Sequence, residues 1–148
     1  MYRHILVATD GSKLSDKAVT AAIEMASRFG AKLTAFHAME EYPVGMFSEY
    51  AMLSGAATPQ QWEEGEKKRA QRILDKVHAK ALKAGVICSS STRTSAEPYK
   101  AIVDAARKSR CDLIVMASHG RRGVQGLILG SETHKVLTHG KVPVLVCR

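Results

Sequence analysis

Cysteine is scarce in this chain, three residues in 148, and Cys88, Cys111 and Cys147 lie far apart, each in or beside an apolar run. An odd count with no C-x-x-C pair and no His/Cys cluster argues against a zinc ribbon or a disulfide framework. It leaves buried structural thiols, compatible with a reducing cytoplasm. No apolar run approaches the roughly 20 residues that a membrane span needs. Met1 to Ala8 passes straight into an apolar segment without the pattern of a secretory signal, so a soluble, cytoplasmic protein without a membrane partner is expected. Aromatic residues make up only 5%. The net charge of +8, from 22 basic and 14 acidic residues, invites a polyanion reading. Its clusters, at Lys67–Arg72, Lys76–Lys83, Arg107–Arg110 and Arg121–Arg122, are not interleaved with the aromatics of a base-stacking platform. Charge alone then argues for solubility and weak polyanion affinity rather than for specific nucleic-acid recognition.

What is present is alternation. Ile5-Leu6-Val7-Ala8 is a short continuous apolar run, the pattern of a strand buried on both faces. Thr9-Asp10-Gly11-Ser12 breaks it, and from Lys13 to Phe29 the period becomes helical, with Ala18, Ala21, Ala22, Met25 and Phe29 on one face and Gly30 as the stop. Further strands are expected at Ala31–Ala38, at the more polar and edge-like Val86–Arg93, at Asp112–Ala117 and at Val142–Cys147. Pro143 cannot donate to a ladder, so it puts the last strand at an edge or itself at that strand's start. Helices are expected from a Thr58-Pro59-Gln60-Gln61 capping box to about Ala84, from Glu97-Pro98 to about Ser109, and from Ser131 to about His139. The first of these turns Ala70, Ile73, Leu74, Val77 and Ala81 inward; the second buries Tyr99, Ile102, Val103 and Ala106. Residues 39–57 read as an irregular segment, long for a loop in a compact domain. Its Tyr42, Met46, Phe47, Tyr50, Met52 and Leu53 either cover a ligand or partner, or tuck onto the domain. Strict β-α alternation without repeat or linker implies one α/β domain, an open five-stranded parallel sheet with helices on both faces.

Ligands of such sheets bind beyond the carboxyl ends of the strands where strand order reverses. Three segments lie there: Thr9–Ser12, His37–Met39 and Ser118–Ser131. The third, with four glycines, follows a strand and opens a helix. Glycines let backbone amides approach an anion, and the helix N-terminus adds free N–H groups and a favourable dipole. The same residues also read as a surface loop whose Gly130-Ser131 caps a helix. It is not a G-x-x-x-x-G-K-[ST] loop. Asp10 either joins Mg²⁺ beside phosphates or makes an Asx-turn that caps the first helix. His119 lacks an acidic orienter nearby in sequence, so it reads as loop support rather than a base. Arg121 and Arg122 either reach a terminal phosphate or are solvated. His134 and His139, five residues apart, do not share a helix face as a metal pair would.

The stretch Ala117 to Ser131 resembles the signature of the universal stress protein family, whose ATP-binding members carry G-x2-G-x9-G-[S/T]. Gly120 stands at the second glycine, Arg121 to Leu129 supply the nine intervening residues, and Gly130-Ser131 close the motif. Ala117 departs from the first glycine. The likeness extends to Ile5–Ser12, Asp112–Met116 and Val142–Val146, essentially the whole chain. It implies a Rossmann-like sheet of order 3-2-1-4-5 with the cleft between strands one and four. It implies ATP, with or without Mg²⁺, as ligand: Asp10 near ribose, phosphates and metal; Ala8, His37 and Ala38 bordering the base; Met116 and Ala117 flanking base and ribose; Gly120, Gly130, Ser131 and the amide of Glu132 on the phosphates. It also implies a homodimer through antiparallel pairing of Val142–Cys147, and protein partners that the sequence does not name. Three functions stay open at this point. One is a stress-responsive ATP-binding regulatory module with at most slow hydrolysis. Another is a nucleotide-free dimeric interaction protein, with Ala117 marking a lost site. The third is a true ATPase or nucleotidyl transferase, for which Asp10, Glu40 and Glu41 are a thin set and no H-x-G-H or S-G-G-x-D-S motif appears.

Overall fold

The structure, a computed structural model, describes residues 1–120 and 129–148. Among them a five-stranded parallel sheet runs β3-β2-β1-β4-β5, built from β1 (His4–Ala8), β2 (Lys32–Met39), β3 (Cys88–Thr94), β4 (Leu113–Ala117) and β5 (Val144–Cys147). The connecting helices are α1 (Lys13–Phe29), the short α2 (Glu49–Leu53), α3 (Pro59–Lys83), α4 (Pro98–Lys108) and α5 (Ser131–His139). No described helix is long and apolar enough to cross a membrane.

The continuous apolar run of β1 is explained by its central place. It pairs with β2 on one side and β4 on the other, and Ile5, Leu6 and Val7 are fully buried. Alternation then sorts its side chains between two cores. Ile5 and Val7 join Leu33, Ala35, Leu113 and Val115 beneath α1 and α3. Leu6 and Ala8 join Phe36, Ile114 and Met116 beneath α4 and α5. The polar β3 lies at one edge, where its serines and threonines face outward, and β5 lies at the other. Pro143 sits just before β5, and its carbonyl accepts from the Ile114 amide, so proline's missing donor costs the ladder nothing.

Two strand starts differ from the sequence reading for one shared reason. After α1, α3 and α4 the chain passes through a left-handed residue, Gly30, Gly85 or Arg110. The next amide then turns back to the helix: Ala31 to the Ala26 carbonyl, Val86 to Ala81, Cys111 to Ala106. This is the Schellman closure. It occupies the amides of Ala31 and Val86, so β2 and β3 start later than their apolar patterns suggest. β5 is likewise shorter than Val142–Cys147. The capping box of α3 forms as read: the Gln61 amide donates to Thr58 Oγ1 and the Thr58 amide to Gln61 Oε1.

The inward face of α1 is rotated from the one expected. Ser15, Ala18, Val19, Ala22, Ile23 and Ala26 are buried, whereas Ala21, Met25 and Phe29 lie at the margin. Both stripes have helical spacing; contact with β4 and β1 selects between them. On α3, Ile73 is only half-buried, and on α4 Val103 is. Residues 39–57 are not wholly irregular, because a 3-10 turn at Val44–Phe47 precedes α2. Tyr42 anchors this segment. Its hydroxyl donates to the Ala57 carbonyl at 2.8 Å, and its ring meets Phe47 and Trp62 edge-on. Tyr50 and Leu53 remain 83% exposed and are not tucked onto the domain.

Candidate functional site

The strand order reverses between β1, which continues to β2, and β4, which continues to β5. The crevice beyond their carboxyl ends is where three predicted segments meet. The Asp10 carboxylate accepts from the Ser12 amide at 3.0 Å, an Asx-turn. The cap of α1 itself is Ser12, whose Oγ accepts from the Ser15 amide at 3.1 Å. Asp10 makes the turn but does not cap the helix, so the second half of that reading is corrected. Thr9 Oγ1 meets Ser15 Oγ and accepts from the Gly11 amide, which stiffens the turn from inside.

Gly120 faces this turn from the end of β4. A Cβ there would lie 2.7 Å from Asp10 Oδ2, so any side chain at 120 would displace the carboxylate. Gly130 closes the loop. Its amide donates to the Ser118 carbonyl at 2.8 Å, and a Cβ would stand 2.9 Å from that oxygen and 3.1 Å from His119 Cα. Gly130 is also the N-cap of α5, and it offers no side chain to cap with. Ser131 is therefore the first helical residue, not the cap. Among the described residues, the amides of Ser131, Glu132 and Thr133 meet no acceptor. A helix start with free amides is a ready anion site.

Ala8 and Met116 are buried on the α4/α5 face, where Ala38 packs at the margin. They occupy the ends of three adjacent strands. Ala117 points the other way, into the core beneath α1. It is paired in the sheet with Cys147. Arg110 is the only non-glycine among the described residues with positive φ, so Ala117 has ordinary strand geometry and its methyl is not strained. The structure thus brings Ala8, Asp10, Ala38, Met116, Gly120, Gly130, Ser131 and Glu132 to one end of the sheet. Arg121 and Arg122 lie outside the described residues. His119 Nδ1 is 3.2 Å from Ser118 Oγ, a contact within the loop.

Sequence reasoning did not foresee three bonds that support this site, two of them made by residues it had named. Thr133, 2% exposed, donates from Oγ1 to the Ala117 carbonyl at 3.0 Å and ties α5 to the end of β4. The Glu132 side chain accepts from the Tyr99 amide at 2.8 Å, so it caps α4 while its own amide stays free. His37 is buried at the end of β2, and its Nδ1–H donates to the Thr9 carbonyl at 2.8 Å, holding the residue before Asp10. A threonine two places into a helix, a glutamate in its first turn and a histidine in an apolar strand carry no local mark of these long-range partners.

His37 Nε2 is buried and has no hydrogen-bond partner among the described residues. Burial lowers the imidazole pKa from the usual 6.5, and the Arg69 guanidinium lowers it further. The bond to Thr9 and the carboxylates of Glu66 and Asp10 oppose this without reversing it. The folded protein therefore binds that proton less readily than the unfolded chain. The stability from neutral His37 is fully present above about pH 6.5 and is lost as pH falls from there through the lowered folded-state value. Urea unfolding between pH 7.5 and 5 should show stability falling with pH, and a His37→Asn chain should show a shallower slope. Equal slopes would remove His37 as the source. The thiols are pushed up by burial, Cys111 to about 11, which fits structural rather than reactive roles.

Comparisons with known proteins agree with this geometry. The family model described as the universal stress protein family matches residues 1–148. A universal stress protein of Thermus aquaticus is 34% identical over 149 residues, covering all of both chains. Among solved structures, a universal stress protein of Lactobacillus plantarum superposes with a TM-score of 0.78 at 23% identity, covering 99% of this chain and 98% of that one. Another universal stress protein, solved in complex with cAMP, superposes with a TM-score of 0.71 at 25% identity over 99% and 97% of the two chains. Full-length match, sheet order and the glycine geometry at the strand-order reversal lead to one conclusion: this chain belongs to the universal stress protein family.

Proposed function

We propose that this protein is a regulatory module that binds ATP in the crevice between β1 and β4. The observation that carries the reading is the paired close approach of Gly120 to Asp10 and of Gly130 to Ser118, in front of the free amides of α5. A Cβ at either glycine would push apart the segments that frame the crevice, and the amides of Ser131 and Glu132 supply the anion's hydrogen bonds. Met116, Ala8 and Ala38, with the backbone of Ala117, would border the adenosine. The complex of a structurally similar universal stress protein with cAMP supports an adenine nucleotide as the ligand.

The residues fit phosphate better than they fit a protein-held metal. Among the described residues no group of three His, Cys, Asp or Glu stands together. A Mg²⁺ would take most of its oxygens from phosphate and water, with Asp10 as its protein carboxylate. Bound there, it would neutralise phosphate charge. His119 has only the Ser118 hydroxyl as a described partner, which leaves it unoriented as a base. Any hydrolysis is therefore slow, and occupancy rather than turnover is the signal. The regulated surface in this reading is β5, whose outer edge carries the half-exposed Leu145. A second copy pairing there antiparallel would cover the edge.

The test is calorimetric titration of the purified protein with Mg-ATP, after release of any co-purified nucleotide. Saturation near one ATP per chain is expected. No binding, and no nucleotide released on denaturation, would favour a nucleotide-free interaction protein. Sedimentation of the same samples reads association: two chains per particle is expected, and a single chain at all concentrations would refute the dimer.

A further inference from the structure

A second concave surface lies on the other side of Asp10. Between the Asp10–Gly11 turn and the middle of α3 is an open pocket of about 400 Å³, within the size range of small-molecule sites. Its α3 wall consists of residues at helical spacing on one face. Arg69, Arg72 and Lys76 stand at i, i+3 and i+7. Ile73 sits between them and packs so closely on the turn that a Cβ at Gly11 would meet its Cγ1 at 3.0 Å. The turn and the helix are thus in contact, and the cations lie at the rim of that contact rather than on a free-standing helix.

The charges are not balanced within the pocket. Two carboxylates, Asp10 and Asp75, also line it. Asp10 accepts from the Ser12 amide, and Asp75 accepts from Gln71 Nε2 at 2.6 Å. Arg69 is already paired with Glu66 at 3.5 Å. Arg72 and Lys76 have no ion-pair partner among the described residues. They stand four residues apart on the helix, where like charges repel. Elsewhere on α3, Lys67 is matched by Glu63 and Lys80 by Asp16. Arg72 and Lys76 thus stand without a matching carboxylate at the lining of a concavity.

We propose that this pocket is an anion site, distinct from the amides of α5, that takes a multiply charged phosphate group through Arg72 and Lys76, with Arg69 at its inner wall. A guanidinium and an ammonium on adjacent turns suit a tetrahedral polyanion: the first donates as a fork, the second as a point charge. The group can arrive in two ways, as the terminal phosphates of a nucleotide held in the β1–β4 crevice or as a free inorganic polyphosphate. The pocket borders that crevice through Asp10, but its chemistry does not depend on adenosine binding.

The probe is inorganic tripolyphosphate, titrated calorimetrically into the full chain at physiological salt. The wild type should bind it saturably. An Arg72→Gln/Lys76→Gln chain, with thermal melting used to verify that it is folded, should bind at least tenfold more weakly and keep the wild-type affinity for AMP. A Lys83→Gln/Lys108→Gln chain loses the same charge at residues that do not line the pocket and should bind as the wild type does. Equal weakening in both double variants would show general attraction to a basic protein and overturn the proposal, as would absent wild-type binding or unchanged binding by the pocket variant. Tripolyphosphate binding that persists in the AMP-saturated protein identifies a free anion as the natural occupant. Loss of ATP affinity in the pocket variant, matching its loss for tripolyphosphate, identifies the nucleotide's own phosphates. Tripolyphosphate binding without any AMP or ATP binding would sustain this site while refuting the nucleotide reading.

Discussion

Gly130→Val should weaken ATP binding by roughly 100-fold or more, the loss expected when two charge-assisted amide bonds of about 1.5–3 kcal/mol each are forfeited. Gly130 has φ −60° and ψ 148°, an extended conformation open to any residue, so the effect is steric and not conformational. A Cβ would stand 2.9 Å from the Ser118 carbonyl oxygen and 3.1 Å from His119 Cα. Both are backbone, so neither relaxes as a flexible side chain would. Valine's two methyl groups add to the conflict. The loop must part from the end of β4, which breaks the 2.8 Å bond from the Gly130 amide to Ser118 and turns the free amides of α5 away from the crevice. Fold stability should fall by only about 1–3 kcal/mol, the usual cost of overpacking. Titration with Mg-ATP measures the first effect and urea unfolding the second. Wild-type affinity in a folded Gly130→Val chain would show that the phosphates bind elsewhere.

Leu6→Ala should do the converse, costing about 2–5 kcal/mol of stability while sparing the site. Leu6 is fully buried in the central strand, between Thr34 of β2 and Ile114 of β4. Its side chain belongs to the core beneath α4 and α5. No single neighbour can refill its volume, because sheet pairing on both sides holds the backbone in place. At this chain length the melting temperature should drop by roughly 5–20 °C. Below the new melting point ATP affinity should stay within a few-fold of wild type, since the Asp10 turn is held separately by Thr9, Ser15 and His37. A loss below 1 kcal/mol would mean that the core rearranges, and a selective loss of affinity would mean that Leu6 positions the site.

The two variants separate what local sequence encodes from what it does not. The apolar run of β1, the Thr58–Gln61 capping box and the strand-loop-helix context of Gly120 and Gly130 were legible because each depends on neighbours within a few residues. The placement of Asp10 at the sheet's end followed from the turn chemistry of residues 9–12. Spacing alone left the roles of these residues open, and at the one departure from the family motif the Ala117 side chain enters the core beneath α1. The inward face of α1 was misread because its alanines, Met25 and Phe29 make a second stripe of equal period. The starts of β2 and β3 were misread because Schellman closures claim amides that apolar patterning assigns to strands.

By itself the sequence determined the order of the strands and longer helices, the burial of the central strand and the glycine spacing, since hydrophobic period, caps and turns act over at most a few residues. Only the tertiary structure decided which stripe of α1 faces the sheet, that Thr133, Glu132 and His37 brace the site, and that Arg72 and Lys76 stand beside Asp10. Those pairings join residues about 16 to 66 apart in the chain. They form because sheet pairing and helix docking bring distant segments together, and no local pattern records which distant residue will be met.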